Sequence, residues 1–166
     1  YTAEIAGILN RHVRSGDTLL DIGCGELTTL SLLAGQLTAD LAGLHAFDIS
    51  WSRVRLGLEF AAANMKAPVF DRLHVFTAEI SEIPMVSKSV DVVMTSHALE
   101  PNGGRERVLL SEIFRVARRH AIFFEPSYEL NSPEGRERMD RLGYVKNLGD
   151  SIASLGATLV DVIPLT

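Results

Sequence analysis

Short, nearly continuous apolar runs alternate along the chain with stretches in which apolar residues recur every three or four positions. The runs at residues 18–22, 44–48, 73–78, 90–96 and 120–125 predict buried strands. Ile5, Ile8, Leu9 and Val13 form a helical stripe over residues 3–13, and Ser15-Gly16-Asp17 then reads as a turn. A helix is expected from Thr28 to Leu37. Ser50 is a candidate N-cap for a long helix with Val54, Leu58, Ala61 and Met65 on its inner face, ended by Ala67-Pro68. Residues 108–117 are amphipathic. Residues 131–155 are mixed and read as short helices broken by Gly135, Gly143 and Gly149, and residues 158–165 predict a last strand. Strands alternating with helices give an α/β fold: a doubly wound, mostly parallel sheet with helices on both faces and right-handed crossovers. No repeat, low-complexity tract or linker divides the chain, so residues 1–166 are expected to form a single domain.

The first run ends in an acid and a glycine pair, Leu20-Asp21-Ile22-Gly23-Cys24-Gly25, before the helix at Thr28. Gly23 and Gly25 allow a sharp turn and the close approach of a ligand. A dinucleotide fingerprint would carry a third small residue where Thr28 stands, and apolar residues where Asp21 stands. Beside a pyrophosphate, Asp21 would repel: two unit charges ~4 Å apart cost about 4 kcal/mol at an effective dielectric near 20. A cationic, phosphate-free nucleoside fits better, and S-adenosylmethionine has a sulfonium and an ammonium. The second run ends in Asp48, near the roughly 20-residue offset at which an acid accepts from both hydroxyls of a ribose diol. Glu79 follows the third run, where it or its neighbours can meet the adenine. Three strands thus each deliver an acid at the carboxyl end, where open α/β sheets bind ligands.

These residues resemble the motifs of class I S-adenosylmethionine-dependent methyltransferases. Leu20 through Gly25 is similar to the family's first motif, Phe47-Asp48-Ile49-Ser50 to its second, and Glu79 through Pro84 with Ser89-Val90-Asp91-Val92-Val93 to the later ones. The resemblance covers nearly the whole chain. It implies a Rossmann-like methyltransferase core and S-adenosyl-L-methionine as cofactor, bound by Asp21, Gly23, Cys24, Gly25, Asp48, Ile49, Glu79, Ile80 and Ser96. Leu27 departs from it, standing where the family often has a third glycine; a side chain there crowds the methionine end of the cofactor unless it points into the core. The family also closes its sheet with an antiparallel hairpin, and only one strand remains here after the final helix. The sheet is therefore expected to lack its last antiparallel strand.

Composition narrows the partners. Apolar residues make up 46% and charged residues 22% of the chain, as in ordinary globular domains. A net charge of −5 argues against nucleic acid. The cluster Arg115, Arg118, Arg119 reads as a solvated helix end. The lone Cys24 excludes an internal disulfide and a cysteine metal cage, and His12, His45, His74 and His120 lack metal-ligand spacing, so no metal is expected. No apolar run reaches the ~20 residues of a membrane span, and no signal peptide is evident, which makes the cytoplasm the default. The chain starts at Tyr1 without Met and reads as a possible fragment; its oligomeric state is left open.

Methyl transfer needs nucleophile and methyl held in line at ~3–3.5 Å, and an oxygen or nitrogen nucleophile can need a base. His97, after Ser96, has a titration range suited to that base; a structural role is as well supported. Glu125 ends an apolar run and can bind a substrate amine or hydroxyl, or be a buried acid paired with Arg136 or Arg138. Glu100, Asn102 and Tyr128 are candidates for contact with substrate, against solvated turn and core. Trp51 can border adenine or pack at the surface, and Asp91 reads as structural. Arg136, Arg138, Arg141 and Lys146 suit an acidic acceptor, or the wet side of two helices. The leading reading is methyl transfer to an O or N atom of a small molecule. The alternative is a non-catalytic cofactor-binding or structural member of the same fold, motivated by Leu27 and the missing strand. A nicotinamide-dependent oxidoreductase is disfavoured by Asp21 and Thr28.

Overall fold

The computed structural model describes residues 1–165. Helix α1 (Thr2–Leu9) leads into β1 (Thr18–Ile22), α2 (Thr28–Ala34), β2 (Gly43–Asp48), α3 (Trp51–Asn64), the single turn α4 (Ala67–Phe70) and β3 (Leu73–Thr77). The chain then crosses to β4 (Val90–Ser96), α5 (Glu106–Val116), β5 (Ala117–Phe124), α6 (Pro133–Leu142) and α7 (Leu148–Ser154). All five strands are parallel, in the order β3-β2-β1-β4-β5. The order reverses between β1 and β4, so the ends of these two strands flank the crevice where such sheets hold ligands.

Side chains alternate across the sheet, and the core divides accordingly. Leu19, Leu44, Ala46, Val92 and Met94 face one layer, against Ile5 and Leu9 of α1, Leu30 and Leu33 of α2 and Ala61 of α3. Leu20, Phe47 and Val93 face the other, against Leu109, Leu110 and Ile113 of α5 and Ile152 of α7. Asp91 is structural, as expected: its carboxylate accepts from the Thr18 N–H and hydroxyl, both at 3.0 Å, tying β4 to the start of β1.

Several expectations need correction. The first helix ends at Leu9 rather than Val13, although Val13 is buried below it. Pro68 does more than stop a helix: it lies in the first turn of α4, where its missing N–H costs nothing. Of the three glycines expected to break residues 131–155, Gly143 alone ends a helix; Gly135 lies in the first turn of α6, donating to Ser132 Oγ at 3.1 Å, and Gly149 lies within α7. β5 begins at Ala117, directly after α5, so Arg118 and Arg119 are strand residues and not a helix end. Each is accommodated by an acid on a neighbouring element, Asp91 at 2.6 Å and Asp17 at 2.5 Å.

Residues 158–165 form no strand. Their apolar alternation is real, but no ladder joins them to the sheet among the described residues, and Leu159, Val160, Val162 and Ile163 are exposed. A strand needs a partner for its N–H and C=O groups, and a groove of about 1240 Å³ separates this segment from β5. The sheet therefore has no antiparallel strand among the described residues. The scattered histidines meet as two pairs, His45 with His74 at 5.4 Å and His12 with His120 at 5.1 Å between ring centroids. No group of three or more metal-ligating side chains occurs among the described residues.

Candidate functional site

The loop after β1 is pinned from β2. Gly23 and Cys24 donate to the Phe47 carbonyl at 2.8 and 3.0 Å, and Gly25 N–H donates to Asp48 Oδ2 at 3.0 Å. Asp48 Oδ1 accepts from the Ser50 N–H at 2.9 Å, while Ser50 caps α3 through the Arg53 N–H. One carboxylate thus organises the glycine loop and the turn after β2 together. Gly23 has φ 72°, and a Cβ there would lie 2.4 Å from the Ala98 Cβ in the loop after β4. Gly23→Ala is expected to cost about 2–3 kcal/mol, from left-handed strain plus the clash. Ala98→Gly in the same chain should recover the steric share, as a denaturant titration of the double-mutant cycle would read out.

Leu27 adopts φ 56° ahead of α2 and is fully buried in the core layer below the loop. Its side chain points away from the crevice, so the crowding expected of a glycine replacement does not arise.

Asp21 lies at the end of β1 and is only 3% exposed. No hydrogen bond or ion pair reaches its carboxylate from the described residues. Burial, with the Asp48 charge adding to it, pushes its pKa up from the ordinary carboxylate range to about 7. Cys24 is pushed up as well, by burial first and then by these two acids, so its thiol is a poor nucleophile. Glu79 follows β3 at the same end of the sheet; its carboxylate is half exposed and 3.5 Å from Arg105 Nη2. Ile49 and Trp51, 71% and 63% exposed, leave apolar surface open beside Asp48. Ile80 is half-buried against the core layer that contains Phe47 and Val93.

The loop after β4 is held by Glu125. Its Oε1 accepts from Thr95 Oγ1 at 2.6 Å and from the N–H groups of Ala98 and Leu99 at 3.1 Å; its Oε2 accepts from Glu100 N–H at 3.1 Å. Burial pushes the Glu125 pKa up, and these donors oppose it. The carboxylate is occupied by the loop itself and pairs with neither Arg136 nor Arg138; Arg136 donates to the Glu129 and Asn131 carbonyls instead. Its geometry is that of a positioning residue.

His97, inside the loop that Glu125 ties down, adopts a left-handed conformation at φ 57° and donates its N–H to the Phe124 carbonyl at 3.1 Å. His97 Nδ1 lies 2.9 Å from Glu100 Oε2. This contact turns the Nδ1 edge of the ring toward Glu100 and leaves Nε2 on the opposite edge. Ser96 Oγ shares a 2.7 Å hydrogen bond with Tyr1 Oη, and the Tyr1 ring sits 5.9 Å from the imidazole. Asn102 donates to the Ala98 and Leu99 carbonyls, which makes it a brace for the loop. Tyr128 Oη donates to Asp140 at 3.1 Å, with Lys146 Nζ 4.7 Å from the ring centroid and paired to the same acid. Arg136 and Lys146 are thereby engaged locally.

Asp21, Asp48 and Glu79 therefore stand at the carboxyl ends of three adjacent strands, and Ser96, His97 and Glu100 stand at and just after the end of the next strand, β4. Sequence reasoning missed Arg53 and Glu26, which form an ion pair at 2.9 Å over the loop, and Tyr1. The position of Arg53 in the first turn of α3, next to a loop rich in acids, was the available signal for the first.

A family model described as a methyltransferase domain matches residues 20–124. Among curated proteins the chain is similar to a sarcosine/dimethylglycine N-methyltransferase of Aphanothece halophytica, 27% identical over 142 residues, covering 79% of this chain and 48% of that protein. It is also similar to a sterol 24-C-methyltransferase of Pneumocystis carinii, 25% identical over 153 residues and covering 89% and 38%. Among solved structures, a Haemonchus contortus phosphoethanolamine N-methyltransferase 2 complexed with phosphomonomethylethanolamine and S-adenosylhomocysteine shares the fold. The TM-score is 0.70 at 21% identity, over 92% of this chain and 36% of that one. The chain spans less than half the length of each of these three proteins.

Proposed function

The chain belongs to this methyltransferase-domain family, and from that premise we propose that it transfers a methyl group from S-adenosylmethionine to an O or N atom of a small molecule. The observation that carries the reading is Asp21: a buried carboxylate with no partner of its own, one strand away from a second acid. A cation is the ligand such a pair fits, and the cofactor's amino-acid end supplies one. Asp21 would face the ammonium, Asp48 the ribose diol, Gly23 and Gly25 the bare backbone beneath, and Ile49 the adenine. S-adenosylmethionine, when bound, supplies an electrophilic methyl. In this reading His97 takes a proton from an incoming hydroxyl or ammonium, with Glu100, 2.9 Å from its Nδ1, orienting the ring. The names of the N-methyltransferase relatives favour a nitrogen acceptor, and the sterol relative warns that carbon is within the family's range.

The non-catalytic alternative loses one of its two motives, because Leu27 lies in the core; the absence of an antiparallel strand among the described residues is the other. No helix among the described residues is long and apolar enough to cross a membrane.

Calorimetric titration with S-adenosylmethionine tests the reading, followed by transfer of a labelled methyl to a panel of amines and hydroxy compounds. Micromolar binding is expected, weakened about tenfold in Asp48→Asn. Absence of binding at millimolar cofactor would end the proposal; binding without transfer to any acceptor would restore the non-catalytic alternative.

A further inference from the structure

Arg53 stands where the nucleoside has to go. Its guanidinium lies over Gly25: a Cβ built on that glycine would be 2.3 Å from Nη2 and 2.9 Å from Cζ. This is the bare face of the loop that a ligand would lie against. Nη1 is 3.6 Å from Asp48 Oδ2. On the other side Nε and Nη2 meet Glu26 Oε1 and Oε2 at 2.9 and 3.4 Å. The guanidinium is therefore wedged between an acid of the loop and the acid expected to take the ribose diol.

The acceptor capacity of Asp48 is limited. A carboxylate offers about four lone-pair sites. The Gly25 and Ser50 N–H groups occupy two of them. The remaining sites are those a diol would use, and Arg53 is turned toward them. Glu26 offers the guanidinium a second, bidentate hold that owes nothing to Asp48. The side chain is half exposed on a helix whose backbone is fixed by the Ser50 cap, so it can move without disturbing the fold.

We propose that Arg53 is the resident counter-ion of the nucleoside seat, competing with the ribose diol for Asp48, so that the cofactor enters as the guanidinium swings away from Asp48 while keeping its hold on Glu26. The proposal deepens the methyltransferase reading and rests on it. Arg53 sets affinity for the nucleoside half of the ligand and makes no contact with its amino-acid half. Its effect is electrostatic and, because a guanidinium stays charged, independent of pH in the working range.

Adenosine, which has the diol but no amino-acid tail, and S-adenosylhomocysteine, which has both, separate the alternatives. Each is titrated calorimetrically into this chain and its Arg53→Ala and Arg53→Gln variants, with thermal unfolding as the check on folding. Both ligands are expected to bind the variants about two- to fivefold tighter, by the same factor, as the loss of an exposed ion pair permits. Weaker S-adenosylhomocysteine with unchanged adenosine would overturn the proposal by showing that Arg53 holds the tail carboxylate. Unchanged affinity for both, or weaker affinity for both, would overturn it as well. Failure of both ligands to bind the unsubstituted chain would defeat the underlying cofactor reading, a result distinct from any of these.

Discussion

Asp21→Asn is expected to stabilise the fold at pH 8 by about 2–4 kcal/mol and to weaken S-adenosylmethionine binding about a hundredfold. The stabilisation follows from the raised pKa. In the folded chain Asp21 titrates at about 7, against an ordinary value of 3.8, because burial and then Asp48 oppose its charge. Between those values the folded chain holds a proton that the unfolded chain has released. Stability attributable to Asp21 is thus complete below about pH 4, falls as pH rises, and is gone above about pH 7. Each tenfold difference in proton affinity between the folded and unfolded chains corresponds to about 1.4 kcal/mol, and part of the total is forfeited because a buried amide also wants partners. Asparagine carries no charge to bury, so its gain should be small at pH 4 and full at pH 8. Urea titrations of both proteins at the two pH values measure this directly; parallel pH profiles would show that the acid is not perturbed.

The affinity loss has the same cause seen from the ligand's side. A bound cation favours the ionised carboxylate and lowers its pKa, so binding should release a proton below pH 7 and tighten as pH rises toward that value. Calorimetry in two buffers of different ionisation enthalpy would count the proton. Asp21→Asn should flatten the profile. A residue that lowers stability where it serves binding is the usual signature of a ligand site.

Glu125→Ala is expected to cost about 3–5 kcal/mol, a large share of the roughly 5–15 kcal/mol typical of a domain. The substitution strands one hydroxyl and three N–H donors that now converge on the carboxylate. Glu125→Gln keeps the oxygen that serves three of them and should cost only about 1–2 kcal/mol. Its turnover, corrected for folded fraction, should stay within about tenfold of the parent, because the residue positions His97 through the loop and does not handle the substrate proton. Guanidinium titration and the labelled-methyl assay give the two readouts. A stable Glu125→Gln with no transfer would make Glu125 a catalytic acid after all.

The glycine loop and the acids at the strand ends were legible because their information is contiguous. A strand, an acid, two glycines and a helix start lie within a few residues, and the same strand-then-acid pattern recurs at Asp48 and Glu79. The parts that were not legible depend on contacts between distant segments. Tyr1 meets Ser96 across 95 positions, and Arg119 meets Asp17 across 102. Glu125 looked like a reactive acid because an apolar run led into it; only the fold shows four donors already converging there. Residues 158–165 carry the alternation of a strand, but alternation records which side chains are apolar and is silent on whether a neighbouring backbone is present to pair with.

The Tyr1–Ser96 hydrogen bond fastens the start of α1 to the end of β4, while Ile5 and Leu9 pack the same helix onto the sheet. The helix is thus held by a polar latch as well as by burial, and the surroundings of the His97 ring are set in part by a segment 95 positions away from Ser96.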